Sequence, residues 1–198
     1  ERMKYYIDHR IEPAYSSYRL LEADSCALST YQMQGPFEVI ARLGVNKHTK
    51  RPSEDDHKAA YLNALMWTLT GDEAHARKSI EILNAYSAML KLIGPNDNDD
   101  PLCASLQGSM LANAAELIKH TYSKVTPAEI AGWEKMLRTV FIPVLDTFFK
   151  AKPYTNGNWG AAATKAYMAF GIFLEDEALY NQAVHFYYNG HDNGTIKN

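Results

Sequence analysis

The chain has 198 residues, 46 % hydrophobic and 12 % aromatic, with 20 Lys+Arg against 23 Asp+Glu and a formal net charge of −3. That length supports one substantial core, the apolar fraction excludes a mostly disordered chain, and the mild acidity argues against a general nucleic-acid binder. No run reaches the roughly 18 apolar residues of a membrane span. Cys26 and Cys103 have neither metal-ligand spacing nor the density of a disulfide scaffold, so their pairing stays open.

The first segment, about Glu1 to Leu21, is Tyr-rich and broken at Pro13. It starts Glu1-Arg2-Met3-Lys4, without an initiator methionine, and the expectation is that a preceding segment has been removed, a secretory leader being one of the readings. A stretch without regular pattern follows from about Glu22 to Glu54, too long for a simple connection and readable as a functional loop. It holds the basic run Lys47-His48-Thr49-Lys50-Arg51, a solvated loop on the plain reading and an attractor of polyanions on the functional one.

From Asp55 the pattern turns regular and helical. Asp56 to Thr70 is apolar nearly all round, which predicts a buried helix. Gly71-Asp72-Glu73 stops it and starts a helix with the stripe Ala76, Ile80, Leu83 and Leu90, and with His75, Arg77, Lys78 and Glu81 expected outside. Asn96-Asp97-Asn98-Asp99-Asp100 lacks the glycine and distal glutamate of an EF-hand loop and reads as a solvated loop.

Cys103 to Tyr122 is again small and apolar. Thr126-Pro127-Ala128-Glu129 is a capping box, and Pro143 should kink the amphipathic helix that it opens. Trp159 to Leu174 is a third all-round apolar helix, followed by an outer one from about Glu177 to Tyr188. Buried and amphipathic helices thus alternate, in hairpins over about 55–92, 103–150 and 158–189. The expected fold is all-α: repeated helical hairpins forming part of an (α/α) toroid, as a single incomplete domain over 1–198. A solenoid or a globular bundle is the alternative. Three hairpins make about half a ring, and the loop ending at Asn198 reads as an interrupted chain.

No Gly-x-Ser-x-Gly, Walker loop, His-Glu-x-x-His or Cys-x-x-Cys motif is present. The most informative segment is Tyr154-Thr155-Asn156-Gly157-Asn158-Trp159-Gly160, at the start of a buried helix. The Asn158 amide there suits an anionic carboxylate, and Trp159 suits a sugar face; Asn158 as a helix cap and Trp159 as core are the plainer readings. His57, Tyr61, Ala64 and Thr68 share one stripe, open either to a wet lumen or to a structural role, and Gln107 is weighed the same way.

Taken together, these residues resemble the alginate-lyase-like superfamily of polysaccharide lyases with an α/α toroid. The resemblance is carried by Glu1-Arg2-Met3, Leu69-Thr70-Gly71-Asp72-Glu73-Ala74, Leu106-Gln107-Gly108, and above all Asn156-Gly157-Asn158-Trp159-Gly160 leading into Ala166-Tyr167-Met168-Ala169-Phe170-Gly171. Tyr188-Asn189-Gly190-His191-Asp192-Asn193-Gly194 resembles the approach to that family's catalytic strip.

The resemblance implies β-elimination on an anionic uronate polysaccharide, alginate or glucuronan, in a periplasmic or secreted setting. Such a reaction needs a group that neutralises the carboxylate, a base for the C5 proton and an acid for the departing O4. Asn158 matches the carboxylate-neutralising asparagine. Trp159, Asn156, Gln107, His57, Lys50 and Arg51 are the expected substrate-binding residues. One branch of the family follows that asparagine with a histidine base, whereas this chain has Trp159. The base and acid are therefore expected beyond residue 198, in a missing C-terminal part, and the 198-residue chain is expected to be inactive or nearly so.

No metal or cofactor is implied, because an amide does the neutralising. Asn193-Gly194-Thr195 is a glycosylation sequon that matters only in a eukaryotic secretory host. Two other readings compete. One is an α/α-toroid glycoside hydrolase using Asp55, Asp56 or Asp176. The other is a helical-repeat glycan-binding protein without catalysis.

Overall fold

The computed structural model describes residues 2–94, 99–150 and 157–189. Two short helices come first, α1 (Arg2–Asp8) and α2 (Ala14–Glu22), separated at Pro13, and neither buries a residue. Three hairpins follow. The first is α3 (Lys50–Thr70) with α4 (Glu73–Met89). In the second, α5 (Asp100–Thr121) pairs with α6 (Pro127–Met136), which runs through a π-helical turn, Leu137–Phe141, into α7 (Ile142–Lys150). The third is α8 (Gly157–Phe173) with α9 (Glu177–Asn189). Among the described residues the only strands are β1 (Val39–Ile40) and β2 (Leu92–Ile93), a two-residue parallel pair. The fold is all-α.

The first hairpin starts at Lys50 rather than Asp55, so Lys50 and Arg51 lie in the first turn of α3 and not in a loop. Pro52 is compatible with this, since the first helical turn has no hydrogen bond for proline to remove. The run Asn96–Asn98 lies outside the described residues, while Asp99 pairs with Arg42.

The inner helices α3, α5 and α8 run in one direction. At one end, Arg42 bridges Glu54 on α3 (2.7 Å) and Asp99 just before α5 (2.7 Å). At the other end, Trp67 Nε1 donates to Thr121 Oγ1, and Lys119 on α5 reaches Glu175 just past α8. Small buried residues set the spacing, among them Ala59, Ala60, Ala104, Ala112, Ala163 and Ala166. Gly108 marks a close approach: a Cβ there would lie 2.7 Å from both Phe141 and Phe170.

Each inner helix hands over to an outer one by turn chemistry. Gly71 (φ 74°) ends α3 in the left-handed region, and Asp72 caps α4 by accepting from the Ala74 amide. The third hairpin repeats this with Glu175 (φ 52°) and Asp176, which accepts from the Leu179 amide. The expected box at Thr126 is formed in both directions with Glu129. Burial works against the Glu129 charge, but hydrogen bonds from Asn84 and Thr126 outweigh it and hold its pKa below the ordinary value. Asn84 also accepts from Trp133 Nε1 and so ties α4 to α6.

Pro143 gives a π-helical turn. Its missing N–H and its ring clash with the carbonyl four residues back are absorbed by widening the turn before it. Beyond that turn α7 meets the third hairpin: Tyr167 donates to Asp146, and Phe149 packs edge-on to both Tyr167 and Phe186. Burial is the main cause that raises the Tyr167 hydroxyl's pKa, reinforced by Asp146.

The stretch before α3 is irregular yet tightly held. Asp56, fully buried, accepts from Tyr31 Oη (2.8 Å), the amides of Gln34 (2.9 Å) and Gly35 (2.8 Å), and Tyr86 Oη (2.7 Å). Burial first, and the Asp56 carboxylate second, push the Tyr86 hydroxyl's pKa upward. Asn63 holds the preceding segment by donating to the carbonyls of Cys26 and Ala59, and it accepts from His75 Nδ1 (2.7 Å). His75 therefore faces α3, contrary to its expected outward position. Cys26 and Cys103 are both buried and free.

Two substitutions test this packing. Asp56→Ala strands four donors, two of them amides, and should cost about 3 kcal/mol or more, read as a lower urea midpoint at unchanged m-value. Gly108→Ala should cost about 1–3 kcal/mol by overpacking; an unchanged midpoint would mean that α5 and α8 can separate freely.

Candidate functional site

Because the inner helices are parallel, their N-terminal ends and helix dipoles gather on one side of the molecule. That side carries the basic run. Lys47 and His48 are exposed in a 3-10 turn (Lys47–Thr49), and Thr49 Oγ1, buried, accepts from the Ala41 amide and donates to the Asn46 carbonyl. Lys50 and Arg51 start α3 where the dipole is positive, an electrostatically unfavourable placement, and no acidic residue occupies that first turn. Arg51 is exposed and paired with Asp55 (2.8 Å). Lys47 and Lys50 make no ion pair among the described residues. Placing positive charge on a positive helix end is the kind of local conflict found where an anion is to be received.

Asn158 lies in the first turn of α8, exposed, inside the helix rather than capping it from outside. Its side chain makes no hydrogen bond among the described residues. Trp159 is half-buried and leans on Phe148, with ring centroids 6.5 Å apart at 40°, so part of the indole belongs to the core. Asn156 lies outside the described residues, as do the sequon and the motif from Gly190 onward.

His57 and Gln107 come together, but in the interior. Both are fully buried, so neither touches a saccharide as placed. Of the α3 stripe, His57 and Ala64 are buried, whereas Tyr61 and Thr68 are half-buried. The His57 ring lies edge-on to Tyr86 at 4.3 Å, and neither of its nitrogens has a hydrogen-bond partner. Gln107 donates through Nε2 to Cys103 Sγ (3.3 Å), and its Oε1 is unpartnered. Burial drives the His57 pKa down to about 3, with the neighbouring Gln107 pulling weakly the other way. Burial likewise pushes the Cys103 thiol up to about 12. The pair is a neutral polar contact beneath the N-terminal ends.

The carboxylates available for a hydrolase are spoken for. Asp55 pairs with Arg51, Asp56 is consumed by its four donors, and Asp176 caps α9 and pairs with Arg138 at the opposite end of the inner helices. Among the described residues, no cluster of three or more His, Cys, Asp or Glu is placed to hold a metal ion. No helix of the described residues is long and apolar enough to cross a membrane. Sequence reasoning missed Arg42, which fixes the ends of two inner helices; a lone arginine ending a short apolar run gave no signal.

The buried histidine makes a pH prediction. Between the ordinary value of 6.5 and about 3, the unfolded chain carries a proton on His57 that the folded chain refuses. Stability should therefore fall as the pH drops through that window, by up to about 1.4 kcal/mol per pH unit from this site. His75, whose pKa is lowered mainly by burial, adds in the same direction. His57→Phe should flatten the acid limb of a plot of Tm against pH. An unchanged slope would mean that the ring is neutral in both states or reached by water.

Comparison with known proteins adds one match. The family model for alginate lyase matches residues 32–198, which takes in all three hairpins and the N-terminal ends just described. No curated protein and no solved structure matches the chain. The chain belongs to the alginate lyase family, and with it to the polysaccharide lyases that act on anionic polysaccharide.

Proposed function

We propose that the protein cleaves a uronate polymer, alginate or glucuronan, by β-elimination, and that this chain supplies part of the substrate cleft at the N-terminal ends of α3, α5 and α8. The observation that carries the reading is Asn158: an exposed amide without a hydrogen-bond partner among the described residues, in the first turn of an inner helix, within the span matched by the family. Lys47 and Lys50 bring unpaired positive charge to the same side. The reading includes closure of the hairpins into an (α/α) toroid and a secreted or periplasmic site of action, where such polymers are met.

The chemistry follows from charge. A uronate carboxylate opposes carbanion formation at C5, because the developing negative charge spreads into a group that is already anionic. The Asn158 amide N–H, aided by the helix end, donates to a carboxylate oxygen and stabilises the enolate-like state. A base then takes the C5 proton, that electron pair forms the C4–C5 double bond, and O4 leaves with the glycosidic pair and picks up a proton. Trp159 stands beside Asn158 where a proton acceptor would be needed, so base and acid fall to other side chains. We expect the 198-residue chain by itself to bind uronate oligomers with little or no turnover.

Calorimetry with a uronate tetrasaccharide, alongside the ultraviolet absorbance of the unsaturated product from alginate and from glucuronan, tests this. Asn158→Ala should weaken binding and, in any catalytically competent form of the protein, lower kcat about 10²–10³-fold. Asn158→Asp should be at least as harmful, since it sets like charges together. Full activity in Asn158→Ala would remove this residue from the mechanism. Reducing ends without the unsaturated product would point to hydrolysis, and tight binding without turnover in any form would point to a glycan-binding protein.

A further inference from the structure

The start of α3 holds two cation–acid pairs at the same helical spacing, and only one of them is closed. Arg51 meets Asp55, four residues on, at 2.8 Å. Lys50 stands four residues before Glu54 in the same way, and that spacing puts the two side chains on one helix face. Lys50 nevertheless makes no ion pair among the described residues. Glu54 is engaged from outside the helix instead: its Oε1 accepts from Arg42 Nη1 at 2.7 Å.

Arg42 is placed to keep that hold. Its side chain is 17 % exposed and those of Glu54 and Asp99 are 26 % and 18 %, whereas Arg51 is 82 % exposed. Water and salt therefore screen the Arg42 pairs less than the open Arg51–Asp55 pair. The backbone around Arg42 is fixed independently of these charges. Ile40 pairs with Ile93 and its carbonyl accepts from the Gly94 amide (2.9 Å), while the Ala41 amide donates to Thr49 Oγ1 (3.0 Å). The strand pair thus brings the guanidinium to Glu54. Between two cations within reach, Glu54 takes the enclosed and weakly hydrated guanidinium over the strongly hydrated ammonium of Lys50.

We infer that Arg42 is a positioning residue for polyanion binding: by holding Glu54, it keeps Lys50 free to meet a carboxylate of the substrate. This rests on the proposed uronate reading and adds the residue that decides whether this cation is available. Arg42 acts through Glu54 and Lys50 and not by touching the sugar. Its second carboxylate, Asp99, ties the same guanidinium to the start of α5 and so keeps it from following Glu54.

The test is the affinity of the chain for a uronate tetrasaccharide at low and high salt, measured for the wild type and a set of variants with an intact thermal transition. Lys50→Gln should weaken binding about tenfold, the contribution of one charge-assisted hydrogen bond, and make it less salt-dependent. Arg42→Gln should do the same, because Glu54 then turns to Lys50. Arg42→Gln combined with Lys50→Gln should bind no more weakly than either alone, since both remove one interaction. Arg42→Gln combined with Glu54→Gln should recover the wild-type affinity to within about twofold, a rescue that a purely structural arginine does not give. That double variant also removes the acid stranded by Arg42→Gln, so it carries the test if the single variant does not fold. Additive losses in the first double variant, no rescue in the second, or wild-type affinity in Lys50→Gln would overturn the role of Arg42. Weak binding in Asn158→Ala alongside any of these would leave the uronate reading standing. No uronate binding by the wild-type chain would overturn both.

Discussion

One carboxylate, taken out of water and met by four donors, fixes the geometry of the N-terminal side of this molecule. Asp56 closes the space between α3 and α4 and gathers the backbone of Gln34 and Gly35, which otherwise has no regular partner. From there the chain reaches β1, pairs with β2 in front of α5, and passes to Arg42, whose guanidinium joins the starts of α3 and α5. The basic turn at 47–49 is seated against Ala41 in the same sequence of contacts. Buried charge is costly unless every lone pair is answered. Here the answers come from segments more than twenty residues apart, so the cost also specifies which loop conformation is native.

The alternation of inner and outer helices was legible in the sequence because it depends on composition along each helix: alanine-rich runs where two helices must approach, one-sided stripes where a face meets water. The helix junction at Gly71-Asp72-Glu73 and the capping box at Thr126 were legible for the same local reason. Contacts that depend on distant chain were not. The register of 31–40 comes from Asp56, and the inward turn of His75 comes from Asn63; no neighbour in sequence announces either. The polar tips on the stripe of His57 suit a wet lumen and a structural role alike, and only the fold places the His57 ring itself in the interior against Tyr86. Lys50 and Arg51 escaped assignment to a helix because their charge opposes the local dipole. Asn158 was legible as a residue type in a motif, while its place in the first turn of α8 required the fold.

That opposition of charge and dipole gives the N-terminal side its character. Parallel inner helices add their positive ends instead of cancelling them, and the basic run lies on the same side. Several acids in that region are drawn into pairs, Glu54 and Asp99 with Arg42 and Asp55 with Arg51, and so shape the scaffold. The buried His57–Gln107 contact lies beneath and carries no charge near neutrality. A polyanion approaching this side meets fixed dipoles and the two lysines Lys47 and Lys50, which make no ion pair among the described residues.

The π-helical turn at Leu137–Phe141 has a consequence for how the array tolerates changes in length. A turn of this kind holds one residue more than its α-helical counterpart, and the residues after it are rotated by about a quarter of a revolution. Before the turn the outer helix faces the first hairpin through Trp133 and Asn84; after it, Phe149 and Asp146 face the third. A single outer rod is thus shared between two neighbours that lie in different directions. Its length is quantised by that sharing: a one-residue deletion would straighten the rod and turn Asp146 away from Tyr167, whereas insertions between hairpins leave the phase of every helix untouched. Natural variation in chain length should therefore collect in the connections and spare this helix.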